Sequence, residues 1–214
     1  MRDLVHLGLA DPLYPAALQT HLGHSAPAAI AALGDLHILQ RKSLALFCSV
    51  KCPGNLIVQT YDLAQKLRAA GVTVIGGFHS PMERECLRIL LRSPHPVIIC
   101  PARSLPKRLA PEFRKPLEEG RLLLLSSFAD AVCRADEETA HRRNRLVAAL
   151  ADRIFAAYAA PNSKTELFCR EIIAWGKPLY TLAGEANANL LALGAMPIAR
   201  FLDSVSAVRY GLRP

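Results

Sequence analysis

The chain has 214 residues, 51% of them hydrophobic, so it is long and apolar enough to bury a core, and disorder throughout is excluded. Its formal net charge of +8 and its pI near 9.4 favour an anionic partner. The apolar runs are too short to span a bilayer, and the N-terminal residues do not resemble a secretory signal. We therefore expect a cytoplasmic protein that does not enter a membrane.

The apolar segments from residue 43 onward alternate with helical patterns, which indicates strands joined by helices. Strands are predicted at residues 43–48, 72–75, 97–100, 122–125, 154–158 and 179–182. Helices are predicted at residues 56–70 and 139–151, after a cap at Ser80, and from Ser163 to Gly176. This order favours parallel pairing through right-handed crossovers, with the sheet covered on both faces. The fold class is therefore α/β, a doubly wound, mostly parallel, Rossmann-like sheet.

Residues 1–40 differ, because Pro12, Pro15, Pro27 and Gly34 break them into two or three short helical pieces. We expect a small helical lead-in subdomain at 1–40, packed on a Rossmann-like domain at 41–214.

Ligands of such folds bind at the carboxyl ends of the strands, where the strand order reverses. The loops at those ends contain glycines, helix starts and basic side chains, which together suit phosphate groups. The predicted phosphate-binding residues in these loops are Ser49, Lys51, Gly54, Gly76, Gly77, His79, Ser80, Arg103, Lys107, Ser163, Lys164 and Thr165.

Each of these residues also has a structural explanation. The structural alternatives are a chain turn for Gly76 and Gly77, a surface position for Lys51, and packing beside a helix start for His79. Glu83 beside His79 could form an acid–base pair, but its position three residues after Ser80 is that of a capping residue. The basic balance from residue 83 to 115, eight Lys or Arg against three Glu, could equally be solvated helix faces.

Cofactors and metals have no support in the sequence. Glycine fingerprints for dinucleotides and Walker sequences are absent, so no nicotinamide or ATP site is predicted. The six cysteines are expected to be buried, reduced thiols, since Cys48 and Cys52 have the wrong spacing for a zinc knuckle. A thiol nucleophile at Cys48 or Cys100 would need a base that the spacing does not reveal. Binding is therefore favoured over catalysis.

Several segments resemble the DNA-processing protein DprA/Smf family over about residues 12–196. Arg143-Asn144-Arg145 and the following Leu-Val-Ala-Ala-Leu are similar to the family's "RNRiiagL" signature. The similarity extends to Tyr14-Pro15, Ala26-Pro27, Leu33-Gly34, Asn162–Glu166, Ala183-Gly184, Asn189–Leu191 and Gly194-Ala195. The family's "GSR" loop is replaced by Cys48-Ser49-Val50-Lys51, and its "SGxAxGID" loop by Gly76–Glu83, in which the family's aspartate is lost.

The resemblance implies an extended Rossmann core and single-stranded DNA binding, with Arg143, Asn144 and Arg145 added to the phosphate-binding residues. It also implies delivery of the DNA to a RecA-type recombinase, and a homodimer is possible by the same analogy. We expect a short, divergent member without the C-terminal winged-helix module that many members carry. Arg143 and Arg145 would point about 200° apart on a regular helix. We therefore expect the helix to begin near Asn144, with Arg143 toward the pocket and Arg145 partly structural.

Three functions remain open from the sequence. The first is single-stranded DNA binding, although Phe78 is the only aromatic residue in the loops that could stack on a base. The second is a pocket for a free nucleotide or nucleotide-derived signal, with phosphoribohydrolase activity disfavoured by the missing "PGGxGT" turn. The third is a dimeric scaffold for a recombination partner.

Overall fold

A nine-stranded sheet with helices on both faces forms the protein, and the computed structural model describes residues 4–209. The strands are β1 (Leu4–Gly8), β2 (Ala29–Gly34), β3 (Ser43–Phe47), β4 (Thr73–Gly76), β5 (Val97–Ile99), β6 (Leu122–Ser126), β7 (Arg153–Ala156), β8 (Leu179–Thr181) and β9 (Met196–Pro197). The helices are α1 (Ala16–Leu22), α2 (Gly54–Ala70), α3 (Pro81–Leu90), α4 (Pro111–Glu118), α5 (Glu137–Leu150), α6 (Lys164–Ala174), α7 (Ala188–Ala192) and α8 (Ile198–Arg209).

The strand order is β1-β2-β6-β5-β4-β3-β7-β8-β9, parallel from β6 to β9 and antiparallel at β1 and β2. The chain winds outward from β3 to β6 and then returns to β7 on the other side of β3. The predicted mostly parallel, doubly wound sheet is confirmed, and the six predicted strands lie within two residues of their observed bounds. The reversal places the switch point of the fold between β3 and β7.

Continuous apolar strands supply two cores, one on each face. Leu44 and Leu46 of β3 pack toward α2 and α3, while Ala45 and Phe47 pack toward α5 and α6. Along β6, the same alternation places Leu122 and Leu124 in the core of the α2 and α3 face, and Leu123 and Leu125 in the core of the α5 and α6 face. Because both faces are covered, every residue of these strands has to be buried, which removes the polar alternation of a half-exposed strand.

The N-terminal segment differs from its prediction. Besides α1 and two short 3-10 turns, it contains β1 and β2, which extend the sheet at the β6 edge. The expected helical lead-in is therefore helical only in part, because 11 of its residues lie in β1 and β2. Pro27 lies two residues before β2 and Gly34 ends it, and both residues were interpreted as breaks between helical pieces. The boundary near residue 40 stays an interpretation.

The start of α3 is built as the sequence predicts. Ser80 accepts a hydrogen bond from the Glu83 N–H, the Glu83 carboxylate accepts one from the Ser80 N–H, and Pro81 occupies the first turn. Helix α4, which carries Pro116 in its interior, was not predicted. Within residues 4–209, no helix is long and apolar enough to cross a membrane.

Candidate nucleic-acid interface

A cavity of about 500 Å³ opens at the carboxyl ends of β3 and β4, beside the switch point. We call it the switch-point pocket, and it is lined by Phe47, Cys48, Val50, His79, Ser80, Glu83, Glu137, Ala140, His141, Arg143, Asn144, Lys164, Thr165, Leu167, Phe168 and Glu171. Six of the predicted site residues are therefore brought together there: His79, Ser80, Arg143, Asn144, Lys164 and Thr165. Its volume is that of a small-molecule site.

Glu83 occupies the backbone amides that the sequence had assigned to phosphates at this end of the sheet. Its carboxylate accepts hydrogen bonds from the N–H groups of Cys48 at 3.0 Å, His79 at 2.9 Å and Ser80 at 3.0 Å. The side chain is buried and ties the loop after β3 to the loop after β4. These three amides are therefore already bonded within the protein, and Glu83 has the contacts of a structural residue. Phosphate binding at His79 and Ser80 stays a prediction.

The start of α6 is arranged differently and keeps free donors. The Ser163 hydroxyl accepts from the Glu166 N–H, and the buried Glu166 carboxylate accepts from the Asn162 N–H at 2.7 Å and from the Asn189 side-chain amide at 3.1 Å. These bonds lower the pKa of Glu166. Among the described residues, nothing accepts from the N–H groups of Lys164 and Thr165. Both residues line the pocket.

Charge in the switch-point pocket is mixed, whereas the sequence predicted a basic one. Glu83, Glu137 and Glu171 line it together with Arg143 and Lys164. The exposed Lys164 ammonium forms an ion pair with the exposed Glu137 carboxylate, so its charge is partly compensated before any ligand arrives. Such an exposed pair is weak and can exchange for a ligand phosphate.

Arg143 is buried within α5, at 6% exposure. Its Nη1 donates to the Cys100 carbonyl at 3.3 Å and its Nε donates to the Asn144 side-chain oxygen at 2.8 Å. The helix begins at Glu137, so the expected start near Asn144 is wrong. Arg143 does line the pocket, as expected, but its side chain is buried and bonded to neighbouring groups. Desolvation lowers the pKa of its guanidinium.

The lack of a side chain at Gly77 makes room for the Arg143 guanidinium. A Cβ at Gly77 would lie 2.7 Å from Arg143 Nε and closer still to Cζ and Nη1, so only glycine leaves room for the guanidinium. Gly76 ends β4, and a Cβ there would contact the Phe78 ring at 3.3 Å. Phe78 is itself buried at 5% exposure, with φ of 47°, so it offers no exposed ring to a base.

Arg145 lies on another face of α5, as the 100° step of the helix requires. Its Nε donates to Glu171 at 2.7 Å, and its guanidinium lies over the Trp175 ring at 5.7 Å. The partly structural role expected for Arg145 is thus seen in its contacts.

The other predicted residues lie outside the pocket lining. Lys51 is exposed and Gly54 begins α2, while the Ser49 N–H donates to the Tyr158 carbonyl at 2.9 Å and its hydroxyl is buried without a partner among the described residues. Arg103 and Lys107 are exposed and line a separate groove near β1 and β2.

Apolar side chains were the part of the site that the sequence analysis missed. Val50 and Leu167 are 76% and 60% exposed and line the pocket with Phe47 and Phe168. Exposed aliphatic residues in a loop and on a helix face carry no motif. Only their position beside Lys51 and Lys164 could have drawn attention to them.

Burial controls the reactivity of two thiols near the carboxyl edge of the sheet. Burial raises the pKa of the Cys48 thiol, and it raises that of the Cys100 thiol to about 12, so both stay protonated near neutral pH. Among residues 4–209, no group of three or more His, Cys, Asp or Glu side chains is placed to hold a metal ion.

The family of the chain is decided by its match to the family model of DNA recombination-mediator protein A, which covers residues 6–207. The chain belongs to this family. The predicted DprA/Smf resemblance is thereby confirmed. No curated protein matches the sequence.

Two solved structures of DNA processing protein A have the same fold. The protein from Helicobacter pylori, which binds single-stranded DNA, is 20% identical with a TM-score of 0.76, and the match covers 96% of this chain and 98% of that one. The protein from Streptococcus pneumoniae is 18% identical with a TM-score of 0.75, covering 91% of this chain and 71% of that one. The molybdenum cofactor carrier protein of Chlamydomonas reinhardtii is more distant, at 12% identity and a TM-score of 0.52 over 78% of this chain and 99% of that one.

The three residues of the family signature, 143–145, therefore lie in three different surroundings. Arg143 fills the space above Gly77, Asn144 lines the pocket and orients Arg143, and Arg145 pairs with Glu171 beside Trp175. In this DprA family member, two of the three signature side chains hold helix α5 against its neighbours.

Proposed function

We propose that this protein binds single-stranded DNA at the carboxyl edge of its sheet, with one nucleotide unit in the switch-point pocket. Membership of the DprA family supports the ligand class, and the single structural observation that carries the site is the pocket at the switch point with two free N–H groups at the start of α6. The recombination-mediator family supports a later transfer of the DNA to a RecA-type recombinase, which we include in the proposal.

The pocket provides different contacts for the two parts of a nucleotide. A phosphate at the start of α6 would receive the N–H groups of Lys164 and Thr165 and the Lys164 ammonium, in the field of the helix dipole. A base would contact the apolar side chains of Val50, Leu167 and Phe168. Exposed Lys51 and His79 stand at the ends of β3 and β4, within reach of neighbouring phosphates.

Salt dependence tests the proposal. If single-stranded DNA is the ligand, the logarithm of affinity should fall linearly with the logarithm of salt concentration, at about −0.7 per neutralised phosphate. We expect a slope of about −2 to −4, which corresponds to roughly three to five phosphates. Fluorescence anisotropy with a labelled oligonucleotide measures it, and an affinity that does not change with salt would contradict the proposal.

A Lys164→Gln variant locates the site. It should lower the slope by about 0.7 and weaken binding of every sequence alike, because it removes one cationic phosphate contact. Lys66→Gln, a matched loss of charge at an exposed position on α2, should leave both quantities unchanged. Equal slopes for the parent and Lys164→Gln would place the DNA elsewhere.

A free nucleotide is the second candidate, because three carboxylates line the pocket. Glu83, Glu137 and Glu171 disfavour a run of phosphates inside the cavity but leave room for a base with a single phosphate at its mouth. A mononucleotide titrated beside the oligonucleotide separates the two, since a nucleotide receptor would bind the monomer as tightly as the polymer.

A further inference from the structure

A second cavity lies on the opposite side of α5 from the switch-point pocket. It has a volume of about 280 Å³ and is lined by Leu22, Ser25, Pro27, Ser127, Arg142, Arg145 and Leu146. We call it the arginine pocket. Ser127 directly follows β6, so this cavity opens at the same carboxyl edge of the sheet as the switch-point pocket.

The polar side chains that line the arginine pocket are those of two arginines and two serines, so its charged groups are all positive. Arg142 and Arg145 lie three positions apart on α5 and therefore share a face of the helix. Ser25 and Ser127 also line the cavity, and among residues 4–209 no carboxylate does. The switch-point pocket differs, because three carboxylates line it together with Arg143 and Lys164.

The two arginines differ in whether their guanidinium is paired with a carboxylate. Arg145 is paired with Glu171 at 2.7 Å. Arg142 is exposed and lies over the Phe128 ring at 5.2 Å, and no carboxylate in the described part of the chain forms an ion pair with it. The ring holds the guanidinium in place without neutralising it, so one full positive charge faces the cavity.

We propose that the arginine pocket binds a phosphodiester group of the same DNA strand that occupies the switch-point pocket. This inference rests on the proposed function. The strand would cross α5, whose diameter with side chains is about 10–12 Å, between the two pockets. Arg142 and the Ser25 and Ser127 hydroxyls would hold the distal phosphate.

The test is a length series of single-stranded oligonucleotides measured with the parent protein, Arg142→Gln and Arg92→Gln. Arg92 is exposed just beyond α3, at the opposite edge of the sheet, and loses the same charge. For long oligonucleotides, Arg142→Gln should weaken binding about 3- to 10-fold and lower the salt slope by about 0.7, whereas Arg92→Gln should change neither. For the shortest oligonucleotides that still bind, which cannot cross α5, Arg142→Gln should equal the parent.

A second variant keeps the test independent of any loss of packing on Phe128. Ser25→Asp adds a negative charge to the lining of the arginine pocket and should also weaken the binding of long oligonucleotides selectively. If the parent binds single-stranded DNA but both variants bind every length like the parent, the second site is wrong and the proposed function stands. If Arg142→Gln weakens all lengths equally, the two-pocket path is also wrong. If the parent binds no single-stranded DNA, both proposals fail.

Discussion

Replacing Gly77 by alanine tests the structural link between the loop after β4 and the family signature on α5. The new Cβ would overlap the Arg143 guanidinium, which is buried and donates to the Cys100 carbonyl and the Asn144 side chain. The arginine must therefore either stay under strain or leave its acceptors.

The two responses have similar costs. Strain from an added group in a packed interior costs about 1–3 kcal/mol, and loss of a hydrogen bond from a charged donor costs about 1.5–3 kcal/mol. The backbone at Gly77 is outside the left-handed region, so alanine also stabilises by about 0.4–1 kcal/mol through the unfolded chain. The net loss in the parent background should be about 1–2 kcal/mol of unfolding free energy.

A double-mutant cycle with Arg143→Ala isolates the contact. Once the guanidinium is removed, Gly77→Ala should be neutral or stabilising by up to about 1 kcal/mol, which gives a coupling energy of about 1–3 kcal/mol. Urea unfolding followed by circular dichroism measures all four proteins. Gly54→Ala serves as a control, because nothing lies within 4 Å of a Cβ at that position. An equal cost of Gly77→Ala with and without Arg143 would refute the steric explanation.

Three further predictions concern a buried carboxylate, the cysteines and the metal content. The pKa of Glu166 is lowered by the Asn162 N–H and the Asn189 amide, so its stabilising effect is present above the unfolded pKa near 4.3 and is lost as pH falls through the lower folded pKa. Glu166→Gln should therefore melt below the parent at pH 7, and the difference in melting temperature should close in acid; a constant difference would contradict this. Among the six cysteines, exposed Cys133 should react first with a thiol reagent, because burial raises the pKa of Cys86, Cys100 and Cys169 to about 12, and mass mapping of the first adduct checks it. Metal analysis of the same protein should find no stoichiometric zinc or iron, and about one equivalent per chain would contradict the expected thiol chemistry.

The parallel part of the sheet could be predicted from the sequence because its strands are apolar throughout. Segments such as Leu122–Leu125 have no polar position, and a two-sided core is the arrangement that tolerates them. Strand β1 could not be found in this way, since it is an edge strand whose Leu4, Val5 and His6 face solvent. Its pairing with β2 is a tertiary contact that leaves no local pattern.

The site was predictable in its position but not in its chemistry. Strand-end loops and the switch-point rule located His79, Lys164 and Thr165 on one cavity, and the family resemblance added Asn144. The same reasoning assigned Gly77 and the loop amides to a ligand. In the structure, Arg143 fills the space beside Gly77, and the Glu83 carboxylate accepts hydrogen bonds from the amides. Spacing along the chain cannot reveal that Glu83 meets the Cys48 N–H from another loop, because that contact depends on how β3 and β4 lie side by side.

Two helix starts at the carboxyl edge contain the same arrangement, a serine followed three residues later by a buried glutamate. Glu83 at α3 and Glu166 at α6 place their own carboxylates on backbone N–H groups that an anion would otherwise reach. Much of the anion-binding capacity of these helix starts is thus used within the protein. A bound polyanion would then depend on exposed cationic side chains, Lys164 and Arg142 foremost, and on the free N–H groups at the start of α6. Because exposed charges are screened by salt, whereas a closed cradle of amides is much less so, this distribution predicts binding that is spread over several weak phosphate contacts and is strongly salt-dependent.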